Sequence, residues 1–231
     1  MKAPGVIVFD MDGVLVEVNA SYREAIRQTV QHFTSESVSQ DLIQDFKNAG
    51  GWNNDWLLCH RLITDRGKNV EYQAVVDYFN RIFLGEDGRP GLIQNEVWMP
   101  TDGLLERLQK FATLAIFTGR AQYEADATLN KYATGISFDP LVTDDSVPKP
   151  KPAPDGLFLI QQKHPGKTIW YLGDTVDDAR SAQAAGVAFI GVSTPHNARH
   201  EEIDGILRGL GAFAILKDIN ELETLVKEAS R

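Results

Sequence analysis

Two aspartates stand directly after the first apolar run of the chain. The run Val6–Phe9 leads into Asp10, and Asp12 follows two positions later. Two carboxylates ~4 Å apart repel each other by roughly 4 kcal/mol at an effective dielectric constant near 20, so they need a cation or a shared proton. Asp12 and Gly13 are also a common turn pair. By itself the pair therefore indicates either a cation-binding or acid–base site, or only a turn.

Two later apolar runs also end in polar residues suited to chemistry. Thr118 and Gly119 combine a hydroxyl with backbone N–H groups at a predicted helix start, where an anion is favoured. A second group of acids follows a later run and consists of Asp174, Asp177 and Asp178. Because polar residues follow several strands, Asp10 and Asp12 are better interpreted as a cation-binding or acid–base site than as only a turn. Asp177 is expected to be an N-terminal helix acid that faces the helix dipole.

A proline-rich segment between these two runs supplies a candidate cation. Lys149 and Lys151 alternate with prolines, which stiffen an extended approach and allow a helix to begin near Pro154. Either lysine could reach the acids, and the other would then be a solvated charge. The segment predicts one lysine at a fixed place beside the aspartates.

The elements that must position these residues are short strands alternating with helices. Continuous runs of Val, Ile, Leu and Phe suit strands buried on both faces of a parallel sheet. Amphipathic segments between them predict right-handed βαβ units and a doubly wound α/β fold, in which ligands bind at the carboxyl ends of the strands. The predicted strands are Val6 to Phe9, Leu114 to Phe117, Ile169 to Leu172, Val187 to Val192 and Phe213 to Leu216.

Residues 19–97 interrupt this alternation with helical patterns alone. We therefore predict an α/β core domain of residues 1–18 and 98–231, with residues 19–97 as an inserted helical cap domain. Ser21 and Glu24 form a capping-box pattern, Ser39 is a candidate cap for the next helix, and Asn53 or Asn54 is a candidate start of a third. The two chain crossings between the domains are expected to act as hinges.

The composition excludes several classes of protein. With 23 Lys and Arg against 32 Asp and Glu, the formal net charge of -9 disfavours nucleic acid and anionic membranes as partners. The single cysteine, Cys59, suits a reducing compartment, and no secretory or spanning segment is visible. We expect a cytoplasmic protein whose partner is a small molecule. The sequence leaves monomer and homodimer open.

The motifs together resemble those of the haloacid dehalogenase superfamily. The stretch from Asp10 to Val14 is similar to its first motif, and Gly173 to Asp178 is similar to its fourth. Thr118 and Lys151 match the second and third motifs, and this spacing favours Lys151 over Lys149. The resemblance implies a Rossmann-like core and, with the helical insertion, the subfamily that includes phosphoglycolate phosphatase and β-phosphoglucomutase.

The resemblance also implies a reaction and a cofactor. Asp10 would attack phosphorus to form an aspartyl-phosphate, and Asp12 would act as the general acid and base. Mg²⁺ would be held by Asp10, the Asp12 backbone carbonyl and Asp174, with Asp178 a direct ligand or one that acts through water. The groups implied to bind the phosphoryl oxygens and offset their charge are Met11, Asp12, Thr118, Gly119 and Lys151.

Charge counting supports a divalent cation independently of the family. Four ionised aspartates and a phosphate monoester carry about six negative charges, against which one lysine supplies a single positive charge. With what the resemblance implies, we expect the activity of a Mg²⁺-dependent phosphatase acting on a small phosphorylated metabolite. A phosphomutase is the alternative, and a dehalogenase or a non-catalytic binding module is more remote. Specificity is assigned to the cap residues Asn19, Tyr22, Trp52, Asn53 and Asn54.

Overall fold

The computed structural model describes residues 2–86 and 88–231, so Met1 and Asp87 fall outside it. Short 3₁₀ helices occur at Leu92–Asn95, Asp144–Ser146 and Ile219–Glu221. The helices and strands follow the chain in the order β1 (Val6–Phe9), β2 (Val16–Glu17), α1 (Tyr22–Thr34), α2 (Gln40–Ala49), α3 (Asp55–Thr64), α4 (Tyr72–Leu84), β3 (Gly85–Glu86), β4 (Arg89–Pro90), β5 (Val97–Trp98), α5 (Leu104–Leu108), β6 (Thr113–Phe117), α6 (Gln122–Tyr132), β7 (Leu141–Val142), α7 (Asp155–Lys163), β8 (Ile169–Gly173), α8 (Val176–Ala185), β9 (Ala188–Val192), α9 (His200–Gly209), β10 (Ala214–Leu216) and α10 (Leu222–Ala229).

The main sheet has six strands in the order β10-β9-β8-β1-β6-β7, and the paired strands run parallel. Strand β1 lies in the centre, and its side chains are fully buried. Such a strand must be apolar at every position, which is why the sequence shows continuous runs instead of alternation. The predicted doubly wound α/β fold is confirmed.

Contacts divide the chain into two compact units. One unit comprises Met1–Val16 and Trp98–Arg231 and contains the six-stranded sheet, and the other comprises Glu17–Val97. In the first unit, apolar residues of α7, α8 and α9 cover one face of the sheet, with Leu157, Ala179 and Leu207 among them. This packing holds the strands, and therefore the loops at their carboxyl ends, in a fixed arrangement.

The second unit is built mainly from helices α1 to α4. Its core contains Tyr22 and Ile26 from α1, Leu62 from α3, and Phe79 and Phe83 from α4. It also contains an antiparallel pair of two-residue strands, β3 and β4. The expectation of helices alone was wrong here, because strands this short carry no detectable periodicity.

The three predicted helix starts in this unit are confirmed, because Ser21, Ser39 and Asn54 directly precede α1, α2 and α3. The Ser39 side chain accepts a hydrogen bond from the Leu42 N–H, and Asn54 accepts one from the Leu57 N–H. The capping box at Ser21 was wrong: the Ser21 hydroxyl donates to the Val18 carbonyl. Within the described part of the chain, every helix is too short or too polar to span a bilayer.

We predict that Gly156→Ala destabilises the α/β unit by about 1–3 kcal/mol. A Cβ at this position would lie 2.2 Å from Cε2 of Phe117, a buried ring that has nowhere to move. Gly205→Ala is the matched control, because a Cβ at that helix position meets nothing within 4 Å. It should stabilise the protein by up to about 1 kcal/mol through helix propensity. Urea unfolding measures both, and equal effects would contradict the packing argument.

Candidate active site

Neighbouring strand ends bring the candidate residues to one edge of the sheet. In the register of the sheet, Phe9 of β1 pairs with Ile116 of β6 and with Leu172 of β8. The residues that follow these strands therefore emerge side by side. The first polar residues after the three strands are Asp10, Thr118 and Asp174.

Two glycines allow the loops to approach each other closely. Gly13 has a φ of 73°, and a Cβ on it would lie 2.0 Å from Oδ2 of Asp174. A Cβ on Gly173 would lie 2.3 Å from Cβ of Asp178. Position 13 thus requires glycine for two reasons: its backbone is left-handed, and there is no room for a Cβ beside Asp174. The Asp-Gly turn and the acidic site are therefore the same feature, not alternatives.

Lys151 lies between two of the acids. Its Nζ is 2.8 Å from Oδ1 of Asp10 and 2.7 Å from Oδ1 of Asp178, and its side chain is 1% exposed. The rings of Phe117 and Tyr171 lie 4.8 and 5.4 Å from the ammonium group, in the range of cation–π attraction. Lys149 is exposed. Of the two candidate lysines, the structure brings Lys151 to the aspartates.

Asp178 is held by partners on both carboxylate oxygens. Its Oδ1 accepts a hydrogen bond from the Tyr171 hydroxyl at 2.5 Å, besides the ion pair with Lys151. Its Oδ2 accepts from the N–H and the hydroxyl of Thr175 at 3.0 and 2.6 Å, while Thr175 caps α8. These bonds give Asp178 the role of positioning the lysine. Sequence reasoning missed Tyr171, because it reads as an ordinary aromatic residue of a buried strand.

Burial and charge shift the protonation of this cluster. Burial, together with the charges of Asp178 and Asp12, raises the pKa of Asp10 from 3.8 to about 7, although Lys151 opposes the shift. Burial also acts to raise the pKa of Asp178, but the Lys151 charge and the hydrogen bonds to this carboxylate outweigh it, so that the pKa is lowered. The Lys151 charge thus keeps Asp178 ionised, whereas Asp10 titrates near neutral pH.

The same acids could hold a metal ion. Asp10, Asp174 and Asp178 each offer a carboxylate oxygen, and these oxygens lie within 4.8 Å of one another. An all-oxygen, anionic donor set fits a hard divalent cation such as Mg²⁺ better than a softer metal. Because Asp178 already accepts several hydrogen bonds, Asp10 and Asp174 are the better direct ligands. A cation would replace the proton of Asp10 as the balance for the excess negative charge.

A second buried cation pairs with Asp12. The Nε and Nη2 atoms of Arg120 lie 2.9 and 2.5 Å from Oδ1 of Asp12, and the arginine side chain is 1% exposed. The backbone N–H of Arg120 donates to the Thr118 hydroxyl at 3.2 Å. Sequence reasoning assigned no role to Arg120. Its position directly after Thr118 and Gly119 was the available signal.

The groups implied to bind phosphate lie in the same loops. Met11 is fully buried and Thr118 is 1% exposed, while Gly119 is half-buried. The Thr118 N–H donates to the Val142 carbonyl of β7 at 3.0 Å, which holds this loop to the sheet. The phosphate-binding role of these residues stays a prediction.

The predicted specificity residues of the cap have structural partners within their own unit. Tyr22 packs against Phe83 with ring centroids 4.1 Å apart, and Asn54 caps α3. Lys47 donates to the backbone carbonyls of Trp52 and Asn53 at 2.9 and 3.3 Å. The Asn19 N–H donates to the side chain of Glu17 at 2.8 Å. These contacts explain why the residues are placed as they are, and a role in specificity stays a prediction.

Comparisons with known proteins cover the whole site. The sequence model of the haloacid dehalogenase-like hydrolase family matches residues 7–192. An imidazoleglycerol-phosphate dehydratase of Phytophthora nicotianae is 34% identical over 95% of this chain and 52% of its own length. The chain thus spans about half of that relative. A phosphoglycolate phosphatase of Pseudomonas fluorescens is 22% identical over 85% of this chain and 72% of its own length.

The fold is shared with solved structures. A crystal structure of a putative haloacid dehalogenase-like hydrolase from Bacteroides fragilis aligns with a TM-score of 0.75 at 19% identity. The alignment covers 95% of this chain and 99% of that one. At this identity, the likeness concerns the fold.

We predict that the affinity of the metal-free protein for Mg²⁺ rises with pH up to about pH 7, the raised pKa of Asp10. Below that pH the metal must displace one proton, so the apparent affinity should increase about tenfold per pH unit. The measurement is the Mg²⁺-dependent rise in Tm of chelator-treated protein between about pH 5 and pH 8.

The stability of the metal-free protein changes with pH in the opposite direction to its affinity for Mg²⁺. A carboxyl group with a raised pKa contributes most to the free energy of unfolding at low pH, and this contribution is lost as the pH rises from 3.8 to about 7.

Asp102→Asn, at an exposed position, should leave the Mg²⁺ titration unchanged, whereas Asp10→Asn should remove its pH dependence. An affinity for Mg²⁺ that is constant across this range would contradict the assignment.

Proposed function

Because this chain belongs to the haloacid dehalogenase-like hydrolase family, we propose that it is a Mg²⁺-dependent phosphatase acting on a small phosphate monoester. The observation that carries the proposal is the buried Asp10, whose Oδ1 lies 2.8 Å from the Lys151 ammonium group, beside Asp174 and Asp178. A carboxylate beside a cation and a candidate metal site is suited to attack the phosphorus of a phosphoryl group whose oxygens carry negative charge.

Asp10 and Asp12 divide the chemistry between them. A carboxylate oxygen of Asp10 attacks phosphorus, and the bond between phosphorus and the substrate oxygen breaks to leave an aspartyl-phosphate. Asp12 donates a proton to the departing alkoxide and then accepts one from the water that hydrolyses the intermediate. The second step returns Asp10 and releases inorganic phosphate. Asp12 suits this role because its side chain is 33% exposed while that of Asp10 is 5% exposed.

The charges around phosphorus are offset by residues from separate strands. Lys151 contributes its ammonium group, and the backbone N–H groups of Met11, Asp12 and Gly119 with the Thr118 hydroxyl would bind the phosphoryl oxygens. When bound by Asp10, Asp174 and the Asp12 carbonyl, Mg²⁺ would neutralise charge that develops on phosphate oxygens. Asp178 acts through Lys151, since its own oxygens accept hydrogen bonds from Tyr171 and Thr175.

The substrate class follows from the relatives' names and from the charge of the site. One relative is named for phosphoglycolate, and another is named for imidazoleglycerol phosphate, so both names contain a small phosphate monoester. We propose a substrate of this size and class. The cap residues Asn19, Tyr22, Trp52, Asn53 and Asn54 remain the proposed source of specificity.

The test is a phosphate-release assay with Mg²⁺ across small phosphate monoesters, including phosphoglycolate and an imidazole-bearing phosphate. We expect turnover that is lost in excess EDTA and restored by Mg²⁺. Asp10→Asn should lower kcat by at least about 10⁴-fold, because it removes the nucleophile. Asp102→Asn is the control that should leave kcat unchanged.

Five outcomes would contradict the proposed Mg²⁺-dependent phosphatase. Full activity of Asp10→Asn would contradict the assignment of Asp10 as the nucleophile. Full activity in excess EDTA would contradict the dependence on Mg²⁺. An isomerised sugar phosphate without phosphate release would indicate the phosphomutase. Release of halide from a haloacid, or no reaction with any substrate of the panel, would favour the remaining alternatives.

A further inference from the structure

Arg120 is a fully buried cation that neither the motifs nor the proposed chemistry uses. Its side chain is 1% exposed, and a guanidinium group keeps its charge in proteins, so burial costs several kcal/mol unless it is paired. Among its contacts, Nη1 donates to the Thr128 hydroxyl of α6 at 2.6 Å, and Nε and Nη2 donate to Oδ1 of Asp12. These bonds lock the guanidinium plane.

The backbone of Arg120 is fixed as well. Its N–H donates to the Thr118 hydroxyl at 3.2 Å, and its carbonyl accepts from the Asp144 N–H at 3.0 Å. The loop after β6 therefore delivers the guanidinium group to the loop after β1 from a rigid base. A flexible surface arginine could not define the position of a carboxylate in this way, because its side-chain entropy would have to be lost on each contact.

The contact with Asp12 is asymmetric. Both donors of Arg120 end on Oδ1, at 2.9 and 2.5 Å, and a third of the Asp12 side chain is exposed. With Oδ1 held by two donors, rotation of the carboxylate is restricted, and Oδ2 is the oxygen placed to exchange protons. A general acid must be within hydrogen-bond reach of the oxygen it protonates, and small displacements lower the rate.

We propose that Arg120 is a positioning residue that holds Oδ1 of Asp12 so that Oδ2 serves the leaving group. The inference rests on the proposed function. A proton passes from Oδ2 to the substrate oxygen as the bond to phosphorus breaks, and a proton from the attacking water later returns to Oδ2. Arg120 itself exchanges no proton. Its effect should therefore depend on how much protonation the leaving group needs.

The test compares two substrates in Arg120→Met. Phosphoglycolate leaves as a basic alkoxide that needs a proton, whereas p-nitrophenyl phosphate leaves as a stable phenolate that needs little. We expect kcat/KM, which reports the steps through phosphoryl transfer to Asp10, to fall by about 10²-fold or more for phosphoglycolate and less than about 10-fold for p-nitrophenyl phosphate. Arg120→Lys should recover part of the loss.

Two further variants separate positioning from a structural role. The double variant Arg120→Met with Asp12→Asn should hydrolyse phosphoglycolate no more slowly than Asp12→Asn alone, since the arginine acts only through the aspartate. Thr128→Val keeps both charges and removes the Nη1 partner, so it should show a smaller loss with the same leaving-group dependence. It also tests the proposal if Arg120→Met does not fold.

The control is Arg107→Met, which removes a half-exposed arginine paired with Glu223 in the same unit, 2.9 Å between Nε and Oε2. It should leave both kcat/KM values unchanged. An equal loss on both substrates in Arg120→Met and Thr128→Val, or no loss on either, would overturn the inference and leave the phosphatase standing. A wild-type protein inactive on both substrates and on the whole monoester panel would overturn the proposed function, and the inference with it.

Discussion

The site depends on the burial of the Lys151 ammonium group between two carboxylates. A buried cation without partners would cost several kcal/mol, and Asp10 and Asp178 remove that cost by pairing with it. Burial, together with the negative charges of Asp178 and Asp12, nevertheless raises the pKa of Asp10, because Lys151 offsets these effects only in part. The three carboxyl groups of Asp10, Asp174 and Asp178 around one ammonium group would favour a further cation at this edge of the sheet. Structural stability and cation affinity therefore have the same electrostatic origin.

The aspartates of the site differ in pairing, pKa and exposure because each has different hydrogen-bond and ion-pair partners. Asp178 is held by Tyr171 and Thr175 and fixes the lysine, so it is a structural anchor of the site. Asp10 is paired with the Lys151 ammonium group, and unlike Asp178 it has a pKa near neutrality, at about 7. Asp12 is paired with a separate buried cation, Arg120, and is partly exposed. Carboxylates of the same type thus acquire different properties through hydrogen bonding and burial alone.

The family membership and the geometry support each other at different levels. The match to the haloacid dehalogenase-like hydrolases over residues 7–192 agrees with the resemblance that the motifs indicate. The matched range includes the loops that follow β1, β6 and β8. The contacts of Arg120 and Tyr171 are properties of this chain's own side chains. The arrangement around Asp12 therefore adds chemical detail that membership in the family does not supply.

Local sequence alone determined five of the six strands of the main sheet, the starts of helices α1 to α3 and the identity of the acids. Val6–Phe9 is buried on both faces. Because such a strand must be apolar throughout, it can be predicted from the sequence alone. Helix caps such as Ser39 act through hydrogen bonds to residues two or three positions away. Because these partners are local, the caps can also be predicted from the sequence. At Ser21 the helix start is confirmed, but the predicted capping box was wrong because the Ser21 hydroxyl donates to the Val18 carbonyl.

Only the tertiary structure decided which charges meet. Arg120 and Asp12 are separated by 108 positions, and Lys151 and Asp10 by 141, so no local pattern links them. The close approach of Gly13 to Asp174 is likewise a contact between two strand ends. Composition and spacing determine which residues stand at the ends of strands. The order of the strands in the sheet determines which of those ends are neighbours, and charge pairing acts only over a few ångströms, so the partners become known only when that order is known.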